Sequence, residues 1–148
     1  MKRWLMLGLL ATTLAWFPPL YADAADTVHR VAIQVSNDDP AVMALALNNA
    51  NSILEDYARK GETVRVEIVT FGPGLTMLRD DTSPVKERLH ALLQSHPEIQ
   101  LSACANTRRS MARREGKDIP LVPEATEVPS GAGRLIDLQE QGWSYLRP

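Results

Sequence analysis

The chain carries one cysteine, Cys104, and no other side chain in it offers as much chemistry. A thiolate is a strong nucleophile whose availability depends on how far its surroundings lower the thiol pKa. Cys104 closes a run from Ile99 that reads as a strand, and the residues after it read as the start of a helix. Asn106 or Thr107 is the expected cap of that helix. Unpaired N–H groups and the helix dipole favour an anion at such an end, so a depressed thiol pKa is expected. Arg108 and Arg109 fall in the same first turn, where each cation is misplaced by about 0.3–1 kcal/mol. A nearby anion would account for them, and so would a solvated basic face continuing to Arg113 and Arg114. The blander alternative for Cys104 is a small apolar residue ending a buried strand.

Other candidates are weaker. Gly72-Pro73-Gly74 allows a backbone to approach a ligand closely, but Gly-Pro-Gly is more often a turn and lacks the spacing of a phosphate-binding loop. The loop from Ser36 to Asp39, with Asn37 as its candidate binding residue, leaves another strand end. Asp38 and Asp39 form a carboxylate pair that helix capping explains. No two of His29, His90 and His96 have metal-ligand spacing, so no metal is expected. Ser102 and Ser110 lack an evident histidine base, which argues against a hydrolase triad. No cofactor motif appears, and no familiar catalytic motif makes the chain an enzyme on its face.

The elements that position these residues follow from periodicity. A buried first strand spans Val31 to Val35. Asp39 then caps a helix with Pro40 at its first position, ending near Lys60 before Gly61. Ala46, Ala50, Ile53 and Tyr57 recur at helical spacing and should face a sheet. A second strand from Val64 to Phe71 completes a βαβ unit and implies parallel pairing. Leu75 to Arg79 suits one short helical turn. Ser83-Pro84 starts a helix whose stripe is Val85, Leu89, Leu92 and Leu93, closed by His96-Pro97. After Cys104 a helix runs to Glu115 and stops at Gly116. Ile119 to Val122 reads as a short extended segment unsuited to a sheet centre. Ser130 caps a last helix ended by Gly142, and Trp143 to Leu146 reads as a closing strand. The alternation predicts an α/β fold, a doubly wound, mostly parallel sheet of four or five strands. Ligand sites in such sheets lie at the carboxyl ends of the strands, where Cys104, Gly72, Gly74 and Asn37 all fall.

The first 24 residues have the pattern of a secretory signal: Lys2 and Arg3, an apolar run from Trp4 to Phe17, then Ala22-Asp23-Ala24. The mature domain would be residues 25–148, periplasmic, with no membrane association after cleavage. It holds 14 basic and 17 acidic residues, a net charge of −3 that gives nucleic acid no basic surface to bind. A lone cysteine in an oxidising compartment makes no internal disulfide, so it is buried, paired with another chain, or kept for its reactivity.

Leu101-Ser102-Ala103-Cys104-Ala105-Asn106-Thr107, followed by an arginine-bearing helix, resembles the cysteine segment of the DsrE/DsrF-like family. The ending from Gly131 to Pro148 is similar to that of its small exported branch. The resemblance implies a flavodoxin-like α/β fold and homo-oligomers, often trimers or hexamers. It also implies a sulfur relay, in which Cys104 would carry a persulfide between a donor and an acceptor, either proteins or a small sulfane anion. Asn106, Thr107, Arg108 and Arg109 would line the site. The relay members are cytoplasmic, whereas this chain carries an export signal, which removes RNA thiolation from the expected roles. The other reading is a non-catalytic periplasmic module that binds a small anion or assembles as an oligomer, with Cys104 as filler.

Overall fold

A computed structural model describes residues 28–148. The signal segment expected at residues 1–24 lies outside the described residues. Five strands, β1 (His29–Val35), β2 (Val64–Thr70), β3 (Gln100–Cys104), β4 (Ala125–Val128) and β5 (Ser144–Leu146), form one sheet. Its order is β4-β3-β2-β1-β5 and every pairing is parallel. The expected α/β fold is therefore present, with helices on both faces.

The order follows from the crossovers. The chain moves from β1 through β4 in one direction, and right-handed connections then place every intervening helix on the same face. Those helices are α1 (Pro40–Lys60), α2 (Lys86–Ser95) and α3 (Ala105–Glu115). They enclose the main core, in which Ile33, Met43, Ile68, Leu89, Leu101 and Ile119 are fully buried or nearly so. The last crossover returns from β4 across the sheet to β5, so α4 (Gly131–Glu140) covers the opposite face. Its core is small: Leu135 and Leu138 against Ala32 and Val69, flanked by Phe71 and Trp143. The strand sequence thus differs from the 2-1-3-4-5 order of flavodoxin itself.

Local signals explain most element ends. Asp39 accepts from the Ala41 N–H at 2.8 Å, and Gly61 closes α1 with a left-handed φ of 71°. The buried stripe of α1 is Met43, Ala46, Leu47, Ala50 and Leu54, with Ile53 and Tyr57 only half-buried at its flank. Ala46 and Ala50 are buried as expected, and a wider arc than i, i+4 spacing alone selects adds Met43, Leu47 and Leu54 while Ile53 and Tyr57 fall at its edge. Gly72–Leu78 forms a 3-10 segment, longer than the single turn expected. Leu121 makes an isolated antiparallel bridge to Arg79, while the strand β4 lies further on, at Ala125–Val128. That strand has no apolar run to announce it. At a sheet edge, Thr126 and Glu127 face solvent and short polar strands are the rule.

Arg79, only 6% exposed, fixes the 3-10 segment to the end of α3. Its guanidinium grips Asp81 at 2.9 Å and Glu115 at 2.6 Å. That grip holds both carboxyl groups below their ordinary pKa. No helix among the described residues is long and apolar enough to cross a membrane.

Candidate functional site at the end of the third strand

β3 and β4 lie side by side, and their exits part. The loop after β3 enters α3 on one face, and the loop after β4 enters α4 on the other. The gap between these two carboxyl ends is the topological switch point, where open α/β sheets place their sites. Cys104 is the last residue of β3 and pairs in register with Val128, the last residue of β4. Sheet topology therefore puts the one thiol at the point where two helix N-termini diverge.

Cys104 itself is the N-cap of α3, two or three positions earlier than Asn106 or Thr107 were expected to cap it. Its backbone is extended at φ −70° and ψ 113°, and its sulfur accepts the Thr107 N–H at 3.5 Å. Sulfur thus takes the place usually held by a serine or aspartate oxygen. The Thr107 hydroxyl and the N–H groups of Asn106 and Gly131 also bear on the sulfur. Burial by itself pushes the thiol up, but these donors more than offset it, and the thiol pKa lies below its ordinary value. The residue is 5% exposed. It is neither a freely exposed thiol nor one enclosed only by apolar side chains.

The donors are organised in turn. Thr107 Oγ1 accepts the Gly72 N–H at 2.9 Å, so its own proton is left to point at the sulfur. Gly72 therefore belongs to the site, and its positive φ of 54° brings that N–H into place. Gly131, first residue of α4, has no room for a side chain: a Cβ there would stand 2.8 Å from the Phe71 Cβ. The Ser130 hydroxyl caps α4 by accepting the Gly133 N–H at 3.2 Å. Gly72, Pro73, Asn106, Thr107, Ser110 and Arg114 line an open cleft of about 290 Å³, which the sulfur's donors border and Cys104 itself does not.

The other expected site residues are placed differently. Arg108 turns away: its Nε donates to the Ile119 carbonyl at 2.8 Å and its terminal nitrogens pair with Asp118 and Glu127. The anions that explain a cation in that first turn are thus carboxylates, and Arg108 is not available to a donor at Cys104. Arg109 is exposed and donates to the Asn106 side-chain oxygen. Gly74 is a packing residue, where a Cβ would lie 2.3 Å from the Val35 carbonyl oxygen. Asn37 is exposed in the loop after β1, and its side chain accepts the Asp39 N–H at 2.7 Å. Among the described residues no cluster of His, Cys, Asp or Glu is placed to hold a metal ion.

Residue typing missed a second feature beside the sulfur. Glu67, at the middle of β2, is fully buried on the face covered by α4. Arg134 of α4 grips it with two hydrogen bonds of 2.7 Å, and the Ser102 hydroxyl donates to it at 2.6 Å. The available signal was a glutamate inside an apolar strand, which requires a buried partner. Ser102, set aside as a nucleophile, is that carboxylate's hydrogen-bond donor.

No protein-family model matches the chain, and no curated protein matches it. Among solved structures, a protein of unknown function from Methanobacterium thermoautotrophicum is similar at 30% identity, with a TM-score of 0.69. The match covers 81% of this chain and 99% of that one. The chain belongs to one family with that methanobacterial protein, a relationship that carries the α/β fold and names no activity.

Proposed function

We propose that the protein is a sulfur carrier of the DsrE/DsrF type, periplasmic and homo-oligomeric, with Cys104 as its only carrier atom. The observation that supports this most is the donor set around the sulfur. N–H groups from two helix N-termini and one hydroxyl converge on it, and they stabilise an anion despite burial. A sulfur serving merely as filler needs no such donors.

In this reading the Cys104 thiolate attacks the terminal sulfur of a persulfide donor. A new S–S bond forms on Cys104, the donor's S–S bond breaks, and the donor leaves as a thiolate. Attack by an acceptor thiolate on the terminal sulfur then reverses the sequence and regenerates Cys104. Sulfane sulfur moves without any external oxidant or reductant, and the low thiol pKa makes Cys104 a good leaving group in the second step. The cleft that Thr107 borders runs along α3 to Arg114 in its last turn, about 15 Å from the cap by helix rise, so in this reading Arg114 attracts an anionic donor to the cleft and not to the sulfur itself.

Intact mass spectrometry after incubation with a polysulfide tests the carrier. The wild-type chain gains the mass of one sulfur and Cys104→Ser gains none. An adduct absent from the wild type, or present in the variant, removes the reading. The 5% exposure of Cys104 favours a second reading, an anion-binding or assembly module in which the thiol is packing. That reading requires slow alkylation of the folded protein near neutral pH and an unchanged oligomer in Cys104→Ala.

A further inference from the structure

We propose that buried Glu67 and Ser102, together with half-buried Arg134, are a positioning element for Cys104, fixing the first turn of α4 against the sulfur. The inference rests on the carrier reading only in giving that position a use.

α4 packs on the sheet face that carries Glu67 and Val69. Its apolar contacts are few, essentially Leu135 and Leu138 against Ala32, Val69 and their half-buried neighbours. Such contacts are non-directional, and two leucines on one stripe leave a 10-residue helix free to slide or roll. The Gly131 N–H bears on the sulfur only while the first turn of α4 keeps its place to within about 0.5 Å. A directional contact is required, and Arg134 supplies it. It lies three residues after Gly131 on the same side of the helix, about 4.5 Å along the axis. Its guanidinium meets the Glu67 carboxylate edge to edge, a geometry that fixes both distance and rotation.

The anchor is equally well placed. Glu67 and Val69 share one face of β2, and Phe71, extended just past the strand's end, is the side chain against which Gly131 packs. β2 and its exit therefore locate the first turn of α4 twice, by the Phe71 ring at Gly131 and by Glu67 at Arg134. Ser102 joins the same carboxylate to β3 two residues before Cys104, so the sulfur's own strand is tied to the pin. An ion pair whose glutamate is buried and whose arginine is 32% exposed adds little net stability over an apolar pair of similar volume. Its contribution here is geometric.

Two variants that keep the local net charge test this. Arg134→Lys retains both charges but replaces a two-pronged grip with a single point. Glu67→Gln/Arg134→Gln removes both charges together. The charged side chains on the neighbouring elements are unchanged in either variant: Arg108 on α3 paired with Glu127 on β4, Arg109 donating to Asn106, and Arg114 in the adjoining cleft. The readout is the pH dependence of Cys104 alkylation by iodoacetamide in the folded, full-length mature protein. Both variants are expected to react about fivefold to tenfold more slowly below the thiol pKa, with equal limiting rates at high pH. Leu89→Ala, which opens a cavity in the opposite core, is expected to lower Tm and leave the profile in place. Superimposable profiles for Arg134→Lys and wild type overturn the proposal, as does an equal displacement by Leu89→Ala. Sulfur uptake is scored separately by mass. A wild type that takes up no sulfur ends the carrier reading and leaves this comparison standing. Uptake with unmoved profiles ends the pin alone.

Discussion

Replacing Thr107 with valine removes one oxygen and keeps the side-chain shape, so it isolates the hydroxyl that links two strand exits. In the wild type that hydroxyl accepts the Gly72 N–H at 2.9 Å and directs its proton to the Cys104 sulfur. A hydrogen bond to a charged group is worth about 1.5–3 kcal/mol. The sulfur keeps its N–H donors in the variant, so the lower end of that range applies, which is about tenfold in thiolate fraction at fixed pH. The Gly72 N–H also loses its acceptor, at about 1 kcal/mol of stability because the site is only part-buried. The assay is the rate of iodoacetamide alkylation as a function of pH, with denaturant unfolding measured in parallel. Thr107→Val should react about tenfold more slowly than wild type below the thiol pKa. The two should converge where both thiols are ionised, and that convergence shows access to be unchanged. A variant profile lying on the wild-type curve would refute the assignment of the hydroxyl to the sulfur. A parallel offset at every pH would do the same, by showing that access and not ionisation had changed.

Gly74→Ala places a Cβ 2.3 Å from the Val35 carbonyl oxygen, where the obstacle is backbone and cannot swing aside. We expect about 3 kcal/mol of destabilisation in urea unfolding, as for severe overpacking; a loss below about 1 kcal/mol would mean that the loop after β2 has slack. The pH dependence of stability gives an independent check on Cys104. Its folded-state thiol pKa is depressed below the ordinary value of 9.0, so the unfolded chain holds the proton at pH values where the folded chain has released it. The resulting stabilisation is fully present above that ordinary value and is lost as pH falls through the folded pKa. Wild-type stability relative to Cys104→Ser should therefore rise as pH climbs through the folded thiol pKa and level off above the ordinary value of 9.0, and a flat difference in denaturation midpoints would count against a stabilised thiolate.

The sequence by itself determined the elements whose causes are local. The start of α1 at Asp39-Pro40, its stop at Gly61, the Ser130 cap and the apolar strands β1 and β2 were all legible, because capping chemistry and period act within a few residues. They also led to the parallel α/β sheet and to Cys104 at a strand end. Tertiary structure decided what the thiol meets. Gly131 lies 27 positions after Cys104, and only the return crossover of α4 brings its N–H to the sulfur. The partners of Arg108 and of Glu67 were equally hidden. Asp118, Glu127 and Arg134 come from other elements, and a charged side chain does not encode which distant opposite charge it will find. The edge strand β4 was illegible for a related reason, since its backbone hydrogen bonds to β3 leave its side chains polar and free of any pattern. Short-range chemistry fixed the pieces and the position of the sulfur along the chain. The pairing of β3 with β4, a long-range contact, made that position a site.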